Sequence, residues 1–184
     1  SCALSFDAME VPESQRIGAE GEGLKIALST LESGRIGIAA QSVGMARAAL
    51  EYAVGYAKER KQFGKALAEN QAIQWPLVEL ATQAEMLRLL IRKTAWEMDQ
   101  LTQAQVEHTL SDRVSMCNFW ANRLCCEAAD RAMQVHGGMG YSRHKPFEHI
   151  YRHHRRYRIT EGSEEIQKRK VAGFLFGYMG ASKH

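Results

Sequence analysis

Proline is scarce in this chain, three residues in 184, so little interrupts a helix once it has begun. No apolar run approaches the roughly 20 residues that cross a bilayer, so membrane insertion is not expected. The opening Ser1-Cys2-Ala3-Leu4-Ser5-Phe6 has neither the basic segment nor the apolar core of a secretory signal. It also lacks an initial Met, as expected of a fragment or a processed chain. Cysteine is limited to Cys2, Cys117, Cys125 and Cys126, whose spacing fits neither a zinc site nor a redox pair. Reduced thiols in an intracellular protein are the expectation. A net charge of +3 is too small to argue for nucleic acid. What is present is ordinary for a soluble globular domain: 45% hydrophobic and 24% charged residues, in a chain long enough for one sizeable core.

In the first 18 residues Leu4, Phe6 and Ala8 alternate with Ser5 and Asp7, which predicts a short strand turned at Val11-Pro12-Glu13-Ser14. A lone strand is unstable, so this piece hints at a sheet elsewhere. Helical spacing of Ile36, Ala39, Ala40, Val43, Leu50, Val54 and Ala57 predicts a long helix from about Leu24 to Arg60. A loop from Lys61 to Glu69 follows. Asn70 is a candidate cap for a second helix bearing Ile73, Leu77, Leu80, Ala84, Leu87 and Ile91, with Pro76 kinking it or marking its first turn. Thr102 and Gln105 form a capping-box pattern for a third helix through Val114, Cys117, Leu124, Ala128 and Val135, stopped at Gly137-Gly138-Met139-Gly140. A short helix from Pro146 to Arg158 precedes a last one with Val171, Phe174, Leu175, Tyr178 and Met179 on one face. The fold class is all-α: an antiparallel up-down four-helix bundle with a short N-terminal strand remnant.

Five stretches carry chemistry-bearing residues. Glu161, on a short loop with Gly162 before the helix start Ser163-Glu164-Glu165, is placed to reach a ligand or merely complements a helix dipole. Arg60-Lys61-Gln62-Phe63-Gly64 with Gln71 could hold a phosphate or simply close a helix. Gln134-Val135-His136-Gly137-Gly138 ends a helix or opens bare backbone to a flat ligand; no strand precedes it, so it is not a Rossmann fingerprint. His136 has no second histidine at metal-binding spacing, and no metal site is predicted. Arg152-His153-His154-Arg155-Arg156-Tyr157-Arg158 is a solvated face or a binder of an acidic cofactor tail; no aromatic platform repeats beside it to bind nucleic acid. Glu32-Ser33-Gly34-Arg35 reads as a helical ion pair at a small-residue break.

Taken in chain order and separation, four of these, residues 32–35, 60–64 with Gln71, 134–141 and 160–167, resemble the C-terminal part of the acyl-CoA dehydrogenase family, over nearly the whole chain. The resemblance implies residues 1–18 as a remnant of a middle β-domain with its linker, and 19–184 as the C-terminal helical-bundle domain. It implies FAD-dependent oxidation of an acyl-CoA thioester to the trans-2-enoyl-CoA. Glu161 matches the base that removes the α-proton while the β-hydride passes to flavin. Arg60 and Gln71 would contact the FAD diphosphate and adenine side from a partner subunit, and Phe63 would pack on the cofactor. Gln134, Val135, His136, Gly137 and Gly138 would lie against the FAD tail, with Ser163 and Glu165 at the FAD beside the active loop. Glu32, Ser33, Gly34 and Arg35 would follow the pantetheine arm of the substrate, and Gly162 would let the chain pass close to the thioester.

The implied partners are an acyl-CoA, further copies in a homo-oligomer (a dimer of dimers), and an acceptor such as an electron-transfer flavoprotein. The implied location is the bacterial cytoplasm or the mitochondrial matrix. Thr160 stands where many members have an aromatic, and Ser163 where threonine is commoner. Some members carry the base immediately before the arginine matching Arg35; Gly34 occupies that place here. The alternatives are a catalytically silent oligomerisation bundle and an acyl-CoA oxidase-like flavoenzyme.

Overall fold

The computed structural model describes residues 2–178. Helix α1, Gly23–Glu59, leads through a two-residue hairpin, β1 Lys61–Gln62 and β2 Lys65–Ala66, to α2, Gln71–Met98. Then come α3 Gln103–Thr109, α4 Ser111–His136, α5 Gly138–Tyr141, α6 Phe147–Arg155 and α7 Glu164–Leu175. Helix α4 is the axle, packing against α1, α2, α6 and α7. The all-α bundle is as the periodicity predicts, with α1, α2 and α4 as its long members.

Burial follows strict three-four spacing. On α1 the buried positions include Ala39, Val43, Ala46, Leu50, Ala53 and Ala57; on α2 they are Leu77, Leu80, Ala84, Leu87, Ile91 and Thr94. Such spacing keeps one stripe facing a nearly aligned neighbour. Alanine dominates the seam between α1 and α4, so the two backbones approach closely. Cys117 and Cys125 fill the same core; burial pushes their thiols up to about 11 and about 12, which keeps them protonated and inert.

Four expectations are corrected. Residues 2–12 form no strand, and Leu4 and Phe6 lie exposed, because no other described segment offers their backbone a ladder. The connection after α1 contains the β1–β2 hairpin rather than loop alone. Asn70 stands at the start of α2, but its side chain donates to Leu67 O (3.2 Å) instead of capping. The third helix is broken at Leu110. There the Thr109 and Ser111 hydroxyls donate back to Gln105 O (2.7 Å) and Glu107 O (2.9 Å), side-chain bonds that compete with a straight helix. The capping box at Thr102 and Gln105 forms, Gly137 ends α4 with φ of 59°, and α2 runs through Pro76. Met179, assigned from its spacing to the last helix, lies outside the described residues, as do residues 180–184.

A polar cluster lies inside the bundle. Ser42 donates to Asn122 Oδ1 (2.7 Å), while the Asn122 amide donates to Asn118 Oδ1 (3.2 Å) and Tyr157 O (3.3 Å). The serine hydrogen is thereby committed, so His154 Nδ1, 3.1 Å from Ser42 Oγ, is the protonated nitrogen of a neutral ring. Burial, with the neighbouring His153 and Arg156, pushes His154 down to about 4. Between that value and an unfolded value near 6.5 the unfolded chain binds the extra proton, so stability rises with pH. Unfolding free energy should therefore be complete above about pH 6.5 and fall by about 3 kcal/mol as pH drops towards 4. Denaturant titrations of His154→Leu should lose that portion of the slope; an unchanged slope would exclude His154 as its source.

Candidate active site

The 3-10 turn Arg156–Arg158 delivers the chain to a tight loop before α7. Glu161 and Gly162 both adopt left-handed backbone, with φ of 59° and 98°. That conformation is strained for glutamate and persists only where its surroundings over-determine it. The Glu161 carbonyl accepts from Arg35 Nη2 (2.7 Å), Arg35 Nε (3.1 Å) and Gln167 Nε2 (3.0 Å). Gln167 also reaches the Gly162 carbonyl at 3.3 Å. A side chain at Gly162 would stand 3.0 Å from Gln167 Nε2, so both φ and space require glycine there.

The Glu161 side chain turns towards α1. Its Oε2 lies 3.5 Å from where a Cβ on Gly34 would stand, and that oxygen is buried with no hydrogen-bond partner among the described residues. No described residue accepts from the Glu161 backbone N–H. The loop thus presents an acceptor and a donor side by side, both uncommitted.

Glu32 and Arg35 are buried; all three guanidinium nitrogens of Arg35 are engaged, whereas Glu32 uses only Oε1 and its Oε2 has no partner among the described residues. Arg35 Nη1 meets Glu32 Oε1 at 2.8 Å, and Lys170 of α7 pairs with the same oxygen. The helical ion pair read from the sequence exists, but it lies in the interior and grips the loop. Ser33 and Gly34 are exposed on α1. Ser163 occupies the position ahead of α7, with Glu165 exposed on its first turn. Glu165's own backbone N–H and the Ser163 hydroxyl hold its carboxylate below the usual range.

The remaining candidates gather at the other end of α1. Arg60, Gln134, Val135, His136, Gly137 and Gly138 line one cleft of about 410 Å³. A Cβ on Gly137 or Gly138 would meet nothing within 4 Å, so bare backbone faces open space there. The His136 ring is buried, stacked on Tyr56 at 4.3 Å, with Nδ1 2.8 Å from Ala132 O. Burial lowers its pKa, and it serves as a wall. Phe63 is 98% exposed at the hairpin tip, and Gln71 begins α2; neither lines the cleft. Among the described residues no cluster of His, Cys, Asp or Glu is able to hold a metal ion, and no helix is long and apolar enough to cross a membrane.

Sequence reasoning assigned no role to Gln167 or Lys170. Gln167 stands one turn along α7 from Ser163, the spacing that turns both to the same side. Replacing Arg35 by lysine keeps a charge but loses the double contact with the Glu161 carbonyl. Arg35→Lys should lower unfolding free energy by about 1–3 kcal/mol, and Arg35→Ala by about 3–5 kcal/mol because Glu32 keeps only Lys170. Chemical denaturation measures both; equal stability of all three proteins would exclude the grip.

Comparison with known proteins identifies the family. Residues 21–176 match the model of the acyl-CoA dehydrogenase C-terminal domain. The chain is 40% identical over 177 residues to the caffeyl-CoA reductase-Etf complex subunit CarC of Acetobacterium woodii, covering 95% of this chain and 45% of that protein. It is also 40% identical to the mitochondrial short-chain specific acyl-CoA dehydrogenase of Bos taurus, covering 94% of this chain and 40% of that enzyme. The structure of butyryl-CoA dehydrogenase from Megasphaera elsdenii superposes with a TM-score of 0.80 at 36% identity, over 90% of this chain and 42% of that one. The chain thus spans less than half the length of these relatives. An all-α bundle with this loop and this extent of identity belongs to the acyl-CoA dehydrogenase family, and corresponds to its C-terminal domain.

Proposed function

We propose that this chain contributes the catalytic base and part of the cofactor cradle to an FAD-dependent enzyme that oxidises an acyl-CoA thioester to its trans-2-enoyl-CoA. One observation carries the reading: a carboxylate oxygen, buried without a partner, sits beside an unengaged backbone N–H on a loop fixed by Arg35 and Gln167. Abstraction of an α-proton needs that combination. Glu161 takes the proton, and its own N–H donates to the thioester oxygen as negative charge develops there. Gly34 leaves room beside the carboxylate, and Gly162 lets the substrate approach the backbone. Arg35 acts as a positioning residue through the Glu161 carbonyl rather than along the substrate's arm.

The cleft at Arg60 and Gln134–Gly138 suits an extended diphosphate cofactor. A guanidinium faces it from one side, and glycine backbone with no side chain in the way from the other. FAD, when bound, supplies the acceptor for the hydride leaving the β-carbon. Gly34 and Arg60 lie at opposite ends of a stretch of α1, about 39 Å apart at 1.5 Å per residue. One cofactor does not span that length, so the cleft of one chain serves the flavin facing Glu161 of another. This reading takes the protein as a homo-oligomer, with a dimer of dimers as the arrangement the family resemblance implies. Trp75, Val78, Met86, Leu89 and Trp96 form an exposed apolar stripe on α2 that suits such a contact. On this reading residues 1–18 are the margin of a β-domain and 19–184 the helical domain.

The Etf complex of the Acetobacterium relative supports an electron-transferring flavoprotein as redox partner. Bacterial relatives and a mitochondrial one support the bacterial cytoplasm or the mitochondrial matrix as location. That first relative is a reductase by name, which favours a second reading: the same carboxylate, protonated, returns its proton to the α-carbon of an enoyl-CoA. Adding saturated acyl-CoA to oxidised protein, and enoyl-CoA to reduced protein, separates the two directions by the flavin spectrum.

In the full-length flavoprotein, Glu161→Gln should retain flavin yet slow anaerobic bleaching by acyl-CoA ~10²–10⁴-fold. Bleaching at the parental rate would remove Glu161 from the mechanism, and absence of any flavin band in the parent would favour a silent bundle. Met86→Glu combined with Leu89→Glu should shift sedimentation to a smaller species without unfolding the bundle; an unchanged assembly would exclude the α2 stripe as its contact.

A further inference from the structure

The loop that carries Glu161 has a neck as well as a tip. Arg158 lies three residues before Glu161 and Glu164 three residues after it. Their side chains meet across the neck, Arg158 Nε to Glu164 Oε1 at 2.5 Å. The other carboxylate oxygen is taken from α4, by Arg123 Nε and Nη2, each at 2.9 Å. Lys168, one turn along α7, stands 3.5 Å from that same oxygen. The Glu164 side chain is 6% exposed, so this carboxylate lies inside the fold although it belongs to the first residue of α7. Arg123 is itself held over the Trp120 ring, 5.5 Å from its centroid.

We infer that Glu164 is a positioning residue for Glu161: with Arg158 it closes the neck of the loop, and through Arg123 it fastens the closed loop to α4. This rests on the reading of Glu161 as the base. Arg35 and Gln167 fix the carbonyl oxygens of Glu161 and Gly162, two neighbouring atoms at the tip. A turn held only at two adjacent carbonyls still rocks about them, and a left-handed glutamate relaxes when allowed to rock. The ion pair across the neck supplies a fixed point away from the tip, and the bond to α4 sets its height above the bundle. Burial pushes Glu164 up, but the hydrogen bonds from Arg123 and Arg158 outweigh it and hold the carboxyl at about 2, so the neck stays closed throughout the neutral range. Three cations surround one carboxylate. Without that charge, Arg123 and Arg158 face each other unscreened, and the loop lifts.

The test uses full-length, flavin-loaded protein and two variants. In Glu164→Gln, hydrogen exchange of the Ile159 and Thr160 amides, which donate to Arg156 O at 2.8 and 2.9 Å, should accelerate about tenfold or more, while amides of α1 and α4 keep the parental rates. Turnover should fall about tenfold with KM unchanged, as for a group that matters in the transition state alone. The mirrored variant, Arg123→Glu with Arg158→Glu and Glu164→Arg, restores opposite charges at the neck and should recover both loop protection and turnover. Parental exchange at the Ile159 and Thr160 amides in Glu164→Gln overturns the proposal, and so does equal acceleration throughout α1 and α4 that the mirrored variant does not reverse. If the loop loosens and recovers as described while Glu161→Gln turns over at the parental rate, the neck stands and the reading of Glu161 as the base falls instead.

Discussion

The Glu161 carbonyl receives three hydrogen bonds from two buried side chains, and the geometry of the loop depends on them. A buried guanidinium is costly unless its charge is matched and its donors are used. Glu32 matches the charge from one turn earlier on α1, and Lys170 of α7 pairs with the same carboxylate oxygen. The sequence of contacts therefore runs from α7 to α1 and back to the loop that precedes α7. Each member is justified by the next. The left-handed turn needs Arg35, Arg35 needs Glu32, and Lys170 draws α7 over the pair so that water is excluded.

Helix α4 makes that closure feasible. It touches every other major helix, and its neighbours α6 and α7 flank the loop. Ser42 of α1, Asn118 and Asn122 of α4 and His154 of α6 form one polar cluster, and the Tyr157 carbonyl at its edge belongs to the turn leading into the loop. Directional bonds inside an otherwise apolar bundle fix rotation and register, which non-directional burial leaves looser. The chain reaching Glu161 thus arrives from a segment already oriented by the core.

Much of this was legible in the sequence. The three-four spacing on α1 and α2, the Thr102 box and the glycine stop at Gly137 each reflect local rules that the tertiary structure leaves intact. Glu161 did not stand out by itself, since acids at a helix start read first as partners of the helix dipole; its order among the other motifs singled it out. Burial of Glu32 and Arg35 was not legible: an acid and a base three apart on a helix look like a surface pair, and only α7 lying over them makes the difference. His154 was hidden in a basic run, although its spacing from Phe147 and Ile150 traces the inward stripe of α6. The break at Leu110 escaped periodicity because the hydrophobic pattern continues across it, and only the Thr109 and Ser111 hydroxyls mark it. The N-terminal alternation has the signature of a strand, but hydrogen bonding, unlike alternation, requires a neighbour.

The alanine seam between α1 and α4 gives the bundle a lopsided tolerance to sequence drift. In most cores the damaging change is deletion of a large side chain; here Ala39, Ala46, Ala53, Ala121, Ala128 and Ala132 leave almost nothing to delete. An added methyl group enters a buried seam, and an enlargement that the seam does not absorb forces displaced rotamers or helix separation at about 1–3 kcal/mol. Pushing α1 away from α4 would also carry Gly34 and Arg35 away from the Glu161 loop, so a bulky substitution deep in the seam would loosen that loop at its far end.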